Sequence, residues 1–374
     1  MKELRMVMAA LCLLLTPYIL QATHNRGGEI QFKQIASNTV EASVITYTKS
    51  SSAPADRDSI TICWGDGQCD RLLRVNGPIG PGGVGTGELI YADIRKNIYT
   101  GIHEYAAPGR YTISMSDPNR NGGILNVNFP NSDQVLFHIE SKVNVLESGW
   151  ENNHSPILLE DPIDIGIQGQ PFVHVPNAFD IDDDSVTYQL VVPLQGIDEE
   201  VPAYQFPDMI NAGPANNLTL DEATGFLRWD APQRTGEYNL AIRITTYRNG
   251  ELWDDMIRDM QIMVIEGLNT PPVIELSETS TEIIEVAVGQ IIVVDLETED
   301  PQVDQDITIS SSSGLYDFFE NTAAFTSQTT TNTGTGQFEW EVNEEHIRQQ
   351  AYQVVFKVKD TFDINGLDSF RVLR

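Results

Sequence analysis

The chain has 374 residues, a length that exceeds one hydrophobic core and fits two or three domains. Its 41% of apolar residues excludes a disordered or collagen-like protein. The formal net charge of −31 lies almost wholly in residues 151–374, which contain 40 acidic and 10 basic residues. Such a field repels nucleic acid and anionic lipid and attracts cations. The alternative is a merely soluble acidic surface. We expect no nucleic-acid partner.

Residues 1–22 have the pattern of a signal peptide. Lys2 and Arg5 precede an apolar run from Met6 to Leu15, and Ala22 is a small residue at the cleavage position. The run is too short to span a bilayer, and no later stretch approaches the length of about 18 apolar residues that spanning requires. We expect an exported mature chain that begins near Thr23 and has no membrane span.

Residues 23–150, the first unit, carry dense β-strand signals. Apolar and polar residues alternate over 41–48 and 59–63, and the segment 65–67 (Gly-Asp-Gly) supplies a hairpin turn. Cys63 and Cys69 flank this turn. In an exported chain, an even pair this close favours a disulfide over a reactive site, and two cysteines without nearby histidines are too few for zinc.

Three motifs follow one another in the first unit: Trp64 to Gly67 (Trp-Gly-Asp-Gly), His103 to Tyr105, and Pro108 to Tyr111. Their order resembles the polycystic-kidney-disease (PKD) domain, an immunoglobulin-like β-sandwich. The chain departs from that pattern by a long insert rich in glycine and proline at 77–87. The resemblance implies that Asp66 caps its turn and performs no chemistry.

Residues 151–266, the second unit, and 267–374, the third unit, align as a degenerate repeat of about 115 residues. A repeat made of strands and turns indicates tandem β-sandwiches. Because Trp229 and Trp340 recur at equivalent positions, we expect them to pack in the sandwich cores and not to stack on sugars. Trp150 and Trp253 lie outside the repeat pattern and are candidates for exposed contacts. The equivalent positions are Asn153 and Asn269, Gly169 and Gly289, Asp180 and Asp300, Trp229 and Trp340, and Tyr238 and Tyr352.

Three carboxylates at alternate positions, Asp180, Asp182 and Asp184, precede the alternating segment 186–190. They cannot sit together unless a positive charge neutralises them, and Ca²⁺, with six to eight oxygen ligands, does this well. The run lacks the glycine and glutamate of an EF-hand. The alternative is that these aspartates cap turns and face water.

The second and third units resemble cadherin-like or immunoglobulin-like repeats of bacterial surface proteins. The resemblance rests on Asn-x-x-Pro linkers, on the segment Ala178 to Tyr188 and on Thr224 to Trp229. It implies Ca²⁺ at the domain junctions, where ligands from two domains fix their relative angle. The implied sets are Asp180, Asp182 and Asp184 with Asn153 or Glu151, and Asn269, Asp300, Asp304 and Asp360. The third unit lacks one middle carboxylate but has Asp360 where the second unit has Thr246.

Taken together, the signal peptide, the PKD-like unit and the Asn-His-Ser-Pro linker at 153–156 resemble exported proteins of gliding Bacteroidota, which are associated with gliding motility and type IX secretion. The resemblance covers most of 23–266 and, more loosely, 267–374. Such proteins commonly end in a sorting domain, and this chain shows none. How it is anchored is therefore left open.

The sequence predicts an all-β chain of three tandem immunoglobulin-like β-sandwiches. We expect no enzyme, because serine-hydrolase, metalloprotease and phosphate-loop motifs are lacking and no acidic pair stands out as a glycosidase dyad. The expected function is calcium-stiffened adhesion or support at the cell surface, with a cell-surface protein or glycan as partner. The alternative is a carbohydrate-binding accessory protein of a secreted polysaccharide-degrading system, which an exposed row of aromatic residues on one sheet face would favour.

Overall fold

The computed structural model describes residues 25–374 except 53–55, 81, 92, 119, 278–282 and 362–365, so the predicted signal peptide lies outside the described residues. Within that range the regular elements are β-strands and single 3₁₀ turns, and the fold is all-β. The described part of the chain contains no helix that is long and apolar enough to cross a membrane. The 3₁₀ turns are Ser132–Gln134, Trp150–Asn152, Pro207–Met209, Gly314–Tyr316 and Glu344–His346.

The first unit is a sandwich of two antiparallel sheets. One has the order β1-β2-β6-β5 and the other β4-β3-β7-β8. Alternate residues of both sheets meet in one core, which contains Ile30, Val44, Trp64 and Phe137. The strands are β1 (Asn25–Ala36), β2 (Thr39–Lys49), β3 (Ser59–Cys63), β4 (Cys69–Leu73), β5 (Glu88–Tyr91), β6 (Ile94–Glu104), β7 (Gly109–Asp117) and β8 (Phe137–Val145).

The three PKD-like motifs of the first unit meet in one cluster. The buried Trp64 ring stacks on His103, with 4.9 Å between centroids, and the Tyr105 hydroxyl donates to the Trp64 carbonyl oxygen at 2.9 Å. Asp66 caps the turn by accepting the Gln68 amide at 3.0 Å. Cys63 and Cys69 are opposite each other in β3 and β4 and form a disulfide, the pairing that the sequence predicts.

The second unit is built on a long hairpin, β18-β19. Its core lies between this hairpin and smaller sheets, and it contains Trp229, Tyr238, Ile244 and Met260. The strands are β9 (Ile157–Leu158), β10 (Ile163–Ile167), β11 (Phe172–His174), β12 (Ala178–Phe179), β13 (Ser185–Val191), β14 (Leu194–Gly196), β15 (Glu199–Glu200), β16 (Leu218–Leu220), β17 (Leu227–Trp229), β18 (Gly236–Arg248) and β19 (Glu251–Ile265).

The third unit is a sandwich with sheet orders β20-β21-β24-β23 and β22-β25-β26. Its core contains Leu296, Phe338, Trp340 and Phe356. The strands are β20 (Val273–Leu276), β21 (Ile291–Glu299), β22 (Ile307–Ser312), β23 (Ala324–Thr329), β24 (Thr333–Glu341), β25 (Val354–Asp360) and β26 (Asp368–Leu373).

Each unit contains a tyrosine whose hydroxyl donates to a backbone carbonyl a few residues upstream. This contact is the tyrosine corner of immunoglobulin-like sandwiches, and it fixes the start of a late strand. In the second and third units the same tyrosine also packs edge-on against the repeated tryptophan, at centroid distances of 4.9 and 5.3 Å. The three bonds are Tyr111 to Ala107 (2.9 Å), Tyr238 to Arg234 (2.7 Å) and Tyr352 to His346 (3.0 Å).

The first two units share a sheet, which no local sequence pattern predicts. Strand β19 of the second unit pairs with both β8 and β1 of the first, so it bridges the two sheets of that sandwich at their edges. The sheet therefore runs across the boundary predicted near residue 150. Covering these edges removes backbone groups that another chain would otherwise pair with.

Two ion pairs are buried in the seam between these units. Arg258 of β19 binds Glu29 of β1 through two nitrogens, at 2.9 and 3.2 Å, and the two side chains are 0% and 1% exposed. Nearby, Arg120 of the first unit is 2.8 Å from Asp259 of β19, also fully buried. Each charge depends on a partner from the other unit.

The third unit packs against the other two. Val355 and Phe370 from β25 and β26 form an apolar cluster with Val175 of the second unit. Lys359 of β25 lies 4.2 Å above the ring of Tyr91 in the first unit. The third sandwich therefore contacts both of the others.

We expect Arg258→Met to lower the free energy of unfolding by about 3–5 kcal/mol, because it leaves the Glu29 carboxylate buried without its partner. Urea unfolding followed by tryptophan fluorescence measures this. Combining it with Glu29→Leu should recover most of the loss. Arg228→Met is the control, because Arg228 pairs with Asp230 at a partly exposed site and exposed pairs contribute about 1 kcal/mol or less. An equal, small effect of both arginine variants would contradict the prediction.

Candidate functional site at the acidic loop

The candidate site is the acidic loop, residues 180–184, which connects β12 to β13. One carboxylate oxygen of Asp180 accepts the backbone amides of Asp182 (2.9 Å) and Asp184 (3.1 Å), and this turn folds the loop back on itself. Asp183 adopts a left-handed conformation, with φ of +65°. As a result Asp180, Asp182 and Asp184 each place a carboxylate oxygen within 4.8 Å of the others. The three predicted aspartates thus lie together.

Arg248, the last residue of β18, faces these carboxylates. Its guanidinium binds both oxygens of Asp184, at 2.8 and 2.6 Å, and lies 3.4 Å from an Asp182 oxygen. The guanidinium carbon also lies 4.5 Å above the ring of Trp253. A two-point contact of this kind is among the strongest hydrogen-bonded pairs in proteins.

The linker between the first and second units completes the shell. His154 contacts Asp182 twice, through its backbone amide and through Nδ1, both at 2.7 Å. Asn153 is buried, but its side chain does not join the carboxylates. Its amide nitrogen donates to the Asn144 carbonyl and its oxygen accepts the Trp253 indole at 2.8 Å. Glu151 is exposed.

Burial dominates the electrostatics of the loop. Burial first, and then the charges of Asp184 and Asp182, raise the pKa of Asp180 to about 7. One oxygen of Asp180 is buried without a hydrogen-bond partner among the described residues. Burial also outweighs the Arg248 contact at Asp184, whose pKa lies above its usual range.

This first set does not fit Ca²⁺ as arranged. The ion needs six to eight oxygen ligands at about 2.3–2.6 Å, and here both Asp184 oxygens are bound by a guanidinium and both Asp182 oxygens by His154. Only the partnerless oxygen of Asp180 is available among the three carboxylates. The protein's own cation lies where the predicted ion would bind.

Asp183 connects the loop to the third unit. Its carboxylate binds Arg348 at 3.1 Å and accepts the backbone amides of Gln349 and Gln350 at 2.8 and 3.0 Å. Arg348 also donates to the Asp180 carbonyl at 2.9 Å. The acidic loop therefore contacts linker, second-unit and third-unit residues at once.

The second predicted set differs. Asp300, Asp360 and Asn269 are buried, and Asp304 is exposed. Asn269 donates to Asp360 at 2.6 Å and accepts from Gln305 at 2.6 Å, so a linker residue reaches the end of β25 and the loop before β22. Burial raises the pKa of Asp300, and the charges of Asp360 and Asp304 add to the rise. Neutral amides engage these oxygens: both Asp360 oxygens accept, from Asn269 and from the Leu367 amide at 2.8 Å, and one Asp300 oxygen accepts the Gln302 amide at 2.6 Å. The oxygens are of the kind that a hard cation prefers, and such a cation would have to displace these amides.

Sequence reasoning missed Arg248, Arg348 and His154 as partners of the loop. A usable signal did exist, because residues 151–374 contain only 10 basic residues among 40 acidic ones. In so acidic a segment, each arginine at a strand end is a candidate counter-ion. The structure also places Trp253, predicted as an exposed contact, beneath Arg248.

Comparisons with known proteins do not assign the chain. No family model matches it, and no curated protein matches its sequence. Among solved structures it is similar to the extracellular cadherin domains 1–5 of protocadherin gamma B2, with 14% identity over 84% of this chain and 52% of that one, at a TM-score of 0.19. Domains 3–6 of the same protein match with 15% identity over 58% and 46%, also at 0.19. The chain thus spans about half the length of these structures, and scores this low support no functional argument.

Asp254, close to the acidic loop in β19, makes the stability depend on pH. One of its oxygens accepts the Asn144 amide at 2.7 Å, the other is buried without a hydrogen-bond partner in the described residues, and burial raises its pKa to about 8. The folded chain therefore holds a proton that the unfolded chain releases near pH 4. This stabilisation is complete at lower pH and is lost as the pH rises through about 8.

We expect Asp254→Asn to reduce the fall of unfolding free energy between about pH 5 and 8 by up to about 1.4 kcal/mol per pH unit. Denaturant unfolding at several pH values measures the slope. Asp230→Asn, at a partly exposed position, is the control and should leave the slope unchanged. The same slope in the Asp254 variant and the wild type would contradict the assignment.

Proposed function

We propose that the protein is an exported, non-catalytic structural and adhesive protein of the cell surface. This proposal rests on the contacts that join the three sandwiches. These are a shared sheet, buried ion pairs and an apolar cluster. Such contacts make a rigid body, which suits a part that must hold a fixed position and bear load. The association with gliding motility is proposed on the sequence resemblance alone.

The distribution of aromatic residues favours adhesion over the carbohydrate-binding alternative. Trp229 and Trp340 are buried in sandwich cores, and Trp253 is covered by Arg248. Among the described residues, Phe129 is the one large aromatic side chain in the exposed class. A sugar-binding face made of stacked aromatic residues is therefore not supported in this part of the chain.

The proposal includes Ca²⁺ binding at the second set of residues, which is Asn269, Asp300, Asp304 and Asp360. A bound Ca²⁺ would neutralise the buried carboxylates. Because Asn269 lies in the linker, Asp300 directly follows β21 and Asp360 ends β25, their oxygens would tie that linker to the third unit. The pKa of Asp300 is raised by its burial and then by the charges of Asp360 and Asp304, and both effects support a cation there.

We expect Ca²⁺ to raise the melting midpoint of the full mature chain above that in excess EGTA, because a ligand that binds only the folded state stabilises it by about 2.7 kcal/mol at a hundredfold excess over Kd. Asp300→Asn and Asp360→Asn should abolish the rise. Asp295→Asn, on the exposed face of the same unit, should retain it. A wild-type midpoint that does not respond to Ca²⁺ would rule out calcium at this set.

Adhesion is tested in the source organism. Deleting the gene should reduce attachment of cells under flow, and re-expressing the wild-type protein should restore it. Antibody binding to intact cells should show the protein at the surface, and a glycan array probed with the purified chain separates the two proposals. Normal attachment after deletion, with binding to a defined polysaccharide, would favour the carbohydrate-binding alternative.

A further inference from the structure

The acidic loop is arranged like a cation site, yet its centre is occupied by a side chain. Arg248 makes three contacts of 3.4 Å or less to Asp182 and Asp184. Each contact has the distance of a charge-assisted hydrogen bond or a close ion pair. The carboxylates are thereby neutralised from within the chain.

The surroundings of Arg248 hold it in this position. Its guanidinium stacks on Trp253 at 4.5 Å, and the Trp253 indole is fixed by its hydrogen bond to the Asn153 oxygen. Asn153, the linker residue expected to bind the ion, therefore holds the Trp253 ring on which the Arg248 guanidinium stacks. A planar, permanently charged guanidinium suits such a stacked two-point site better than lysine does.

Comparison of the two repeats supports the same conclusion. Where the third unit has the buried carboxylate of Asp360 at the end of β25, the second unit has Thr246, whose hydroxyl is used within the hairpin. The second unit therefore lacks a carboxylate at this position, and Arg248 follows two residues later. Relative to the third unit, it has one negative charge fewer at this position and a positive charge beside it.

We infer that Arg248 replaces a calcium ion in the second unit, so that the acidic loop is a metal-independent ion-pair lock. The contact between His154 and Asp182 holds the loop against the linker between the first and second units. The contact between Asp183 and Arg348 joins the loop to the third unit. These contacts between the loop, the linker and the third unit then persist at any calcium concentration. This inference is independent of calcium at Asp300 and Asp360.

A double-mutant cycle in excess EGTA tests the lock on the full mature chain. Arg248→Met and Asp184→Asn should each lower the melting midpoint by several degrees, and the double variant should be no less stable than the worse single variant, because removing both charges leaves neither uncompensated. Arg228→Met is the matched arginine control. Additive losses without chelatable metal would overturn the inference.

A second measurement uses the Asp300→Asn protein, in which the other set is disabled. Its melting midpoint should be the same in Ca²⁺ and in EGTA. Terbium, a luminescent calcium substitute, should give no emission sensitised by Trp253 unless Arg248 is also replaced by Gln. A calcium-induced rise in this background that Asp182→Asn abolishes would show that the loop binds the metal in spite of Arg248.

Discussion

The buried pair between Glu29 and Arg258 constrains much of the remaining structure. Removing one partner of a fully buried ion pair leaves a charge in a medium of low polarity, at a cost of several kcal/mol. Because Glu29 lies in β1 and Arg258 in β19, the first two units cannot separate without exposing or orphaning both charges. The seam that they share also fixes the direction of the β18-β19 hairpin, and β18 ends at Arg248. The position of the counter-ion in the acidic loop thus follows from a contact made by the adjacent strand of the same hairpin.

Local features of the fold could be predicted from the sequence because they depend on neighbouring residues. Alternation over 41–48 predicts a strand, the Gly-Asp-Gly turn places Cys63 opposite Cys69, and the repeated tryptophans lie in cores. The clustering of Asp180, Asp182 and Asp184 is local too, since the turn that gathers them is made by Asp180 itself. These features need no knowledge of how the units pack.

The partners of those residues could not be predicted, because they come from distant parts of the chain. Arg248 is 64 positions from Asp184, and Arg258 is 229 positions from Glu29. Each pairing exists only after the sandwiches have packed. The resemblance to cadherin-like repeats predicts that a bound Ca²⁺ neutralises the acidic loop. In the packed structure the Arg248 guanidinium neutralises it instead. The shared sheet was missed for the same reason, since no local pattern marks β19 as the strand that bridges β1 and β8.

The position of β1 has a mechanical consequence. This strand lies between β2 and β19 and is paired antiparallel with β2 from Asn25 to Ala36. A pull transmitted along the backbone from upstream of Asn25 acts parallel to the strand, and the inter-strand hydrogen bonds run perpendicular to it. The bonds are then loaded together in shear and are not opened one after another as in unzipping. The first sandwich would resist traction at its N-terminal side with the hydrogen bonds along its longest strand.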